Sequence, residues 1–174
     1  TAFMTAIICI LGFVPGVPLP FKPVPIVLQN IGIFLAGIIL GRKMGALTVI
    51  VFLLLAATGL PVLSGGRGGI GVFVGPSAGF LFLYPFIAYF IGLIRDRYYG
   101  KINFLILFVT TLIIGVLALD IIGTIIMGFI IHISISKAFL LSFTFMPGDI
   151  IKAIISSLIG ATILNHTRFK SLIQ

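Results

Sequence analysis

The sequence predicts an all-α integral membrane protein with six transmembrane helices, cytoplasmic N- and C-termini, and long external loops covering a substrate pocket. Of the 174 residues, 60% are apolar and only 8% are charged, whereas soluble domains carry about 45–50% apolar and 25% charged residues. The apolar residues form continuous runs, without the alternation of a transmembrane β-barrel. This composition excludes a water-soluble globule, a disordered chain and an ordinary nucleic-acid binder.

Six apolar runs approach the roughly 20 residues that a transmembrane helix needs. We place the spans at Ala2–Val14, Pro25–Leu40, Met44–Leu60, Ser77–Ile94, Ile102–Met127 and Pro147–Leu164. The chain length fits a single transmembrane domain over residues 1–174. We expect no signal peptide in Thr1–Val14, because a lysine-rich start and a small-residue cleavage site are missing there.

The basic residues explain the net charge of +8 and predict the orientation. One set of connecting segments carries Arg42, Lys43, Arg95, Arg97, Lys101, Arg168 and Lys170. The other set carries Lys22, Arg67 and Lys137, and Lys152 lies within the sixth span. By the positive-inside rule, the first set and both termini are cytoplasmic.

The external segments are predicted to be long and to carry the binding site. Pro15–Pro25 is rich in proline, Ser64–Gly71 is rich in glycine, and His132–Met146 is the third external segment. Binding sites are commonly built on loops with such unusual backbone demands.

Asp149 and Lys152 are the strongest candidates for a ligand site. Their i,i+3 spacing places them on one helical face. Pro147 is interpreted as the first residue of the sixth helix, so that Asp149 lies in its first turn beside the positive end of the helix dipole. A helix cap neutralised by the lysine is one interpretation. A polar pair directed into an external vestibule is favoured, because a lysine inside an apolar span is costly.

Three further polar residues lie within the spans. Gln29 and Asn30 are expected one turn into the second span, where one of them faces the pocket and the other bonds a neighbouring helix. Asp120 lies in the fifth span as a proton relay, a pocket acid or the partner of a buried base, and the sequence leaves these roles open.

The glycine-rich segment is predicted to contribute to the pocket. Arg67, Gly68 and Gly69 lie in the run Ser64–Gly69, whose backbone N–H groups are able to form an anion nest. A mobile external loop is the alternative. The run does not match the G-x-x-x-x-G-K-[ST] phosphate loop.

Ser77 lies in Gly75-Pro76-Ser77-Ala78-Gly79, which matches the G-x-S-x-G pattern of serine hydrolases. An intramembrane hydrolase with His132 as the base is a remote alternative, since a membrane helix follows this motif. A hydroxyl at the pocket rim is favoured, with Tyr84 on the same helical face. The single cysteine, Cys9, excludes an intramolecular disulfide and a cysteine-based metal site.

Three motifs in this order resemble the signatures of the BioY family, the biotin-specific substrate-binding (S) components of energy-coupling factor (ECF) transporters. They are Pro23-Val24-Pro25-Ile26-Val27-Leu28-Gln29-Asn30, Gly75-Pro76-Ser77-Ala78-Gly79-Phe80 and Met146-Pro147-Gly148-Asp149-Ile150-Ile151-Lys152. The resemblance covers nearly the whole chain. Ser77-Ala78 departs conservatively from an expected Thr-Gly, and Asp120 lies outside the three signatures.

The resemblance implies a non-enzymatic transport component in the bacterial cytoplasmic membrane. Its ligand is biotin and it has no cofactor or metal. Its partners are a membrane coupling protein and two cytoplasmic ATPases, and it binds no nucleic acid. Asp149 and Lys152 are expected to contact the biotin head, with apolar walls from Phe73, Phe80 and Tyr84.

The resemblance also assigns Ala2 and Ala6 to the surface that docks on the coupling protein. Three alternatives remain at this point. They are an S component or facilitator for another vitamin, the serine hydrolase, and a structural subunit or ion channel.

Overall fold

The fold is a bundle of apolar helices, described by a computed structural model over residues 1–14, 16 and 27–166. Within these residues four helical runs are long and apolar enough to cross a membrane, and one of them, Phe104–Ile130, is divided by a π-helical segment. The helices are α1 (Ala2–Phe13), α2 (Gln29–Ala57), α3 (Ala78–Arg97), α4 (Phe104–Thr110), α5 (Leu119–Ile130) and α6 (Ile135–Asn165). A π-helical segment, Thr111–Ala118, joins α4 to α5. Short 3₁₀ turns lie at Ile70–Phe73 and Tyr99–Lys101.

Helix α2 contains the predicted second and third spans, because its chain folds back at Gly41. This glycine has φ of 76° and ψ of −175°, a conformation that is almost confined to glycine and costs another residue about 1–3 kcal/mol. A Cβ at Gly45 would lie 2.7 Å from the carbonyl oxygen of Ala36, so residues 29–40 and 42–57 pack against each other. The predicted turn at Gly41–Lys43 is confirmed, and the small residues of Gly37-x-x-x-Gly41-x-x-x-Gly45 allow the close packing.

Arg95 of α3 stabilises this fold-back. Its Nε donates to the carbonyl of Ile38 at 3.0 Å and its Nη2 to that of Ile39 at 3.1 Å. These carbonyls lie in the last turn before the break at Gly41, where a helix leaves acceptors without intrahelical partners. Asp96 completes the junction, because its Oδ2 accepts from the backbone N–H of Arg42 at 3.1 Å.

The predicted start of the last span is wrong. Helix α6 begins at Ile135, and Pro147 lies inside it rather than at its first position. Asp149 and Lys152 therefore lie mid-helix, away from the positive end of the dipole. The predicted external segment His132–Met146 reduces to a short connection between Ile130 and Ile135. A helix packed among other helices tolerates an internal proline, since neighbouring groups satisfy the freed backbone acceptor.

Two other boundaries differ from the predictions. Gln29 and Asn30 are the first two residues of α2 rather than residues one turn inside it. Helix α3 extends to Arg97, so Arg95 and Arg97 form its last turn instead of a loop. The predicted positions of Lys22, Arg168, Lys170 and the Pro23–Ile26 part of the first motif lie outside the described residues.

The outer face of the bundle is apolar. Large side chains stand exposed on several helices, among them Phe86, Leu105, Phe129 and Leu140, each at least 60% exposed. Soluble monomers rarely carry such continuous apolar patches. The exposed faces therefore fit a hydrocarbon environment, while the polar side chains gather inside the bundle.

Candidate functional site

A cavity lies inside the bundle between α2, α3, α5, α6 and the glycine-rich segment. It is lined by Val27, Gln29, Asn30, Leu63, Ser64, Arg67, Val72, Ser77, Phe80, Leu81, Tyr84, Asp120, Phe145, Asp149 and Lys152. Its walls combine apolar rings with a few convergent polar groups, which is the usual composition of a small-molecule site.

Asp149 is the polar centre of the cavity. Its Oδ1 accepts from Nζ of Lys152, one turn further along α6. The same oxygen accepts from Nδ2 of Asn30 on α2 at 3.2 Å. Asp149 and Lys152 are each 4% exposed, so the pair neutralises two charges that would be expensive to bury singly. The predicted i,i+3 pairing is confirmed.

Three buried acceptor atoms at the cavity have no hydrogen-bond donor among the described residues. They are Oδ1 of Asn30 and both carboxyl oxygens of Asp120. Both residues line the cavity. An unsatisfied buried polar group costs about 1–3 kcal/mol. A ligand that donates hydrogen bonds to these atoms would therefore be stabilised in the cavity.

Gln29 lines the cavity but its amide is fully engaged by the protein. Its Nε2 donates to the carbonyls of Ile8 at 3.2 Å and Val62 at 2.7 Å. Its Oε1 accepts from the backbone N–H of Ser64 at 3.2 Å. The side chain thus ties α1, α2 and the glycine-rich segment together. Of the two amides, Asn30 bonds the neighbouring α6 and Gln29 bonds backbone.

Arg67 extends from the glycine-rich segment to the start of α3. Its backbone pairs with that of Leu63, with N···O distances of 3.0 and 3.2 Å, closing a tight turn around Ser64-Gly65-Gly66. Its Nε donates to the carbonyl of Ser64 at 3.1 Å, and its Nη1 donates to Oγ of Ser77 at 3.3 Å. The side chain therefore bridges one edge of the cavity.

Two glycines predicted to contribute to the pocket lie outside its lining. Gly68 packs on the end of α2, where a Cβ would come within 2.2 Å of the carbonyl oxygen of Leu60. The backbone N–H of Gly69 donates to the carbonyl of Ala56 at 2.7 Å. This N–H is therefore engaged in a structural bond rather than open to an anion.

The predicted aromatic walls are correct in part. Phe80 and Tyr84 line the cavity, together with Ser77 on the same face of α3. Phe73 does not, and its ring lies 5.8 Å from that of Phe82 instead. His132 is also absent from the lining.

Sequence reasoning missed several lining residues. Phe145 lies four residues before Asp149 and seven before Lys152, and all three line the cavity. A helix continuing through Pro147 would have placed them on one face, but the proline was interpreted as a helix start. Leu63 and Val72 carry no sequence signal, because the irregular path of the glycine-rich segment brings them to the site.

Ala2 and Ala6 do not line this cavity and lie on the exposed face of α1. The opposite face of α1 buries Met4, Thr5, Ile8 and Gly12. Oγ1 of Thr5 donates to the carbonyl of Thr48 at 3.3 Å. The two alanines are therefore available for contact within the bilayer.

An apolar helical bundle around a buried polar cavity defines a membrane protein that binds a small solute. The BioY family model matches residues 1–169. The probable biotin transporter BioY of Bacillus subtilis is 46% identical over 162 residues, covering 93% of this chain and 87% of the relative. The biotin transporter BioY of Rhizobium etli is 40% identical over 169 residues, covering 94% and 90%.

A solved structure agrees with these sequence relatives. The crystal structure of the S-component for biotin from an ECF-type ABC transporter aligns with a TM-score of 0.92 at 40% identity, covering 99% of this chain and 93% of that one. The chain belongs to the BioY family. It is a multi-pass membrane protein of a family of transporters rather than of enzymes.

Proposed function

We propose that this chain captures biotin at the external face of the bacterial cytoplasmic membrane. With a membrane coupling protein and two cytoplasmic ATPases, it delivers biotin into the cell. The observation that carries the proposal is the buried Asp149–Lys152 pair, joined by Asn30 and open to a cavity, in a chain of the BioY family. The site needs no cofactor or metal, and ATP hydrolysis belongs to the partners.

The polar groups of the cavity complement those of biotin. Its ureido ring has two N–H donors and one carbonyl acceptor. Lys152 donates to a carbonyl or a carboxylate, while Asp149 accepts from an N–H. Phe80 and Tyr84 offer apolar surface to the thioether ring, where each Å² removed from water contributes about 25 cal/mol. Arg67 and Ser77 lie at the edge of the cavity.

We propose that the whole chain forms one substrate-binding domain that crosses the membrane six times. Helix α2 supplies two crossings because it folds back at Gly41. The charged groups at this turn and at the end of α3 lie on the cytoplasmic side by the positive-inside rule. The glycine-rich segment then lies outside, at the mouth of the cavity.

Calorimetric titration of biotin into the detergent-purified protein tests the binding function, after mass spectrometry has established whether biotin co-purifies. We expect saturable one-to-one binding and no comparable response to thiamine or riboflavin. Tighter binding of another vitamin would be consistent with the role as an S component but would show that its ligand is not biotin. Absence of biotin binding by ligand-free protein would contradict the proposal.

A further inference from the structure

Asp120 is a buried acid in the cavity that lies outside the three family signatures and beside the Asp149–Lys152 pair. It is 1% exposed and lines the cavity together with that pair. Its carboxyl group lies beside that of Asp149, with which it shares a side-chain hydrogen bond when one of the two acids is protonated, and neither of its oxygens has any other hydrogen-bond donor among residues 1–14, 16 and 27–166. A carboxyl group in this position is expensive unless something donates to it.

Local backbone structure places Asp120 at the site. It is the second residue of α5, directly after the π-helical segment Thr111–Ala118. Such π-helical turns are frequent at functional sites, because they change which face a following residue presents. Helix α5 then packs closely on α3, where a Cβ at Gly123 would lie 2.6 Å from the Phe80 ring.

Three donor groups near Asp120 have partners other than its carboxyl group. Nζ of Lys152 and Nδ2 of Asn30 both donate to Oδ1 of Asp149. Arg67 donates to Ser64 and Ser77. The described part of the chain thus brings two acceptor-rich groups, Asp120 and Oδ1 of Asn30, to a cavity whose cationic groups have other partners.

We propose that Asp120 is a specificity-determining residue that accepts a hydrogen bond from an N–H of the bound ureido ring. This inference rests on the proposed biotin-binding function. Asp120 supplies the acceptor from α5, while the Asp149–Lys152 pair acts from α6. Groups on the two helices together form hydrogen bonds with both the N–H donors and the carbonyl of a cyclic urea. A ring that lacks N–H groups would leave Asp120 without a hydrogen-bond donor.

The first test is calorimetric titration of wild-type protein with biotin, desthiobiotin, biotin methyl ester, and biotin methylated at one or the other ureido nitrogen. Methylation at the nitrogen that faces Asp120 should weaken binding by more than tenfold, because it removes a donor from a buried acceptor. Both methylated compounds binding as tightly as biotin would overturn the role of Asp120.

The second test repeats the titrations with Asp120→Asn and Asp120→Leu. Asp120→Leu removes the acceptor and should weaken biotin, desthiobiotin and the methyl ester by similar factors of about ten or more, whereas Asp120→Asn keeps an amide oxygen as acceptor and should weaken them less. Their effect on the analogue lacking the relevant N–H should be below threefold. This pattern assigns the loss to the ureido ring rather than to the thioether or the carboxylate.

Thr111→Val is the matched control. Thr111 is fully buried in the same helical run, and its Oγ1 also has no hydrogen-bond partner among the described residues. It does not line the cavity, so this substitution should leave the affinity for biotin unchanged.

The outcomes separate the two proposals. Wild-type protein that binds no biotin overturns the proposed function itself. If the wild-type protein binds biotin and both Asp120 variants bind it with the same or higher affinity, the acceptor role alone is overturned. Equal losses for every analogue, including those with a methylated ureido nitrogen, would also overturn it, since the effect would then be unrelated to the N–H.

Discussion

At the residue scale, hydrogen-bonding capacity separates the polar groups that hold the fold from those that are open to a ligand. Gln29 uses both amide hydrogens and its oxygen within the protein. Asn30, next to it, uses its nitrogen on Asp149 and keeps an acceptor at the cavity. The first side chain is therefore structural, and the second contributes to the site.

Removing either member of the buried ion pair should weaken biotin binding. We expect Asp149→Asn and Lys152→Met each to reduce affinity by more than tenfold, because a polar partner is left unpaired in an apolar surrounding. Titration calorimetry measures the affinity, and thermal unfolding in the same detergent measures the accompanying loss of stability.

Lys137→Met provides the control on the same helix. Lys137 is exposed near the start of α6, so its loss should change neither affinity nor unfolding temperature beyond a small surface effect. If Asp149→Asn and Lys152→Met both leave the affinity for biotin unchanged, the pair does not contact the ligand.

At the element scale, the fold-back of α2 depends on one glycine. Gly41 adopts a positive φ, and a Cβ there would lie 2.5 Å from Oδ1 of Asp96. Asp96 is held by Arg95, whose Nη1 donates to the same carboxylate oxygen at 3.0 Å. Backbone strain and steric conflict therefore coincide at this turn.

A series of glycine substitutions separates those two costs. Gly41→Ala should lower the unfolding temperature most, since it adds strain of about 1–3 kcal/mol and displaces Asp96. Gly59→Ala should lower it less, because Gly59 has φ of 100° but open space around its Cβ position. Gly100→Ala carries neither cost, since its φ is ordinary and nothing lies nearby.

Thermal unfolding of the three purified variants gives the order directly. Gly41→Ala equal in stability to Gly100→Ala would show that the turn does not require a glycine.

The sequence predicted most helices but misplaced the start of the last one for a physical reason. The charges Arg42 and Lys43 correctly identified the fold-back of α2. Pro147 suggested a helix start, because proline is favoured at a first helical position. Within a packed membrane bundle an internal proline is also tolerated, and the sequence does not distinguish these cases.

The candidate site was predictable where side chains pair with side chains along one helix. Asp149 and Lys152 followed from i,i+3 spacing. The partners of Gln29 are backbone carbonyls of distant segments, which leave no trace in the sequence. The place of Asp120 depends on the π-helical segment, which apolar composition does not reveal.

At the scale of the whole molecule, the chain combines an apolar outer surface with an uneven distribution of positive charge. In the topology that we propose from the positive-inside rule, Arg97 is cytoplasmic and the glycine-rich segment is external. The sequence has one cysteine, Cys9, so a Cys9→Ala background permits single-cysteine labelling.

We expect a cysteine at Arg97 to react with a membrane-impermeant maleimide only after the membrane is opened. A cysteine at Gly66, an exposed turn residue, should react in intact cells. Gel-shift labelling of the two variants measures the orientation of the protein in the membrane. The reverse pattern would invert the proposed topology and place the mouth of the cavity in the cytoplasm.

The proposed uptake requires a surface for the coupling protein, and we expect the exposed face of α1, which does not line the cavity, to provide it. Ala2 and Ala6 are exposed on this helix, and small side chains allow another helix to approach closely. Ala2→Trp or Ala6→Trp should therefore leave biotin affinity unchanged while blocking assembly with the coupling protein and ATPases. Co-purification measures assembly, and uptake of labelled biotin measures transport.

Leu105→Trp is the matched control, since Leu105 is 63% exposed on α4 and a tryptophan there remains in contact with lipid. It should preserve both assembly and uptake. If Ala2→Trp and Ala6→Trp assemble as the control does, docking uses another face of the bundle. If they instead lose biotin binding, α1 acts on the cavity through its contacts with α2, and its exposed face is not an independent docking surface.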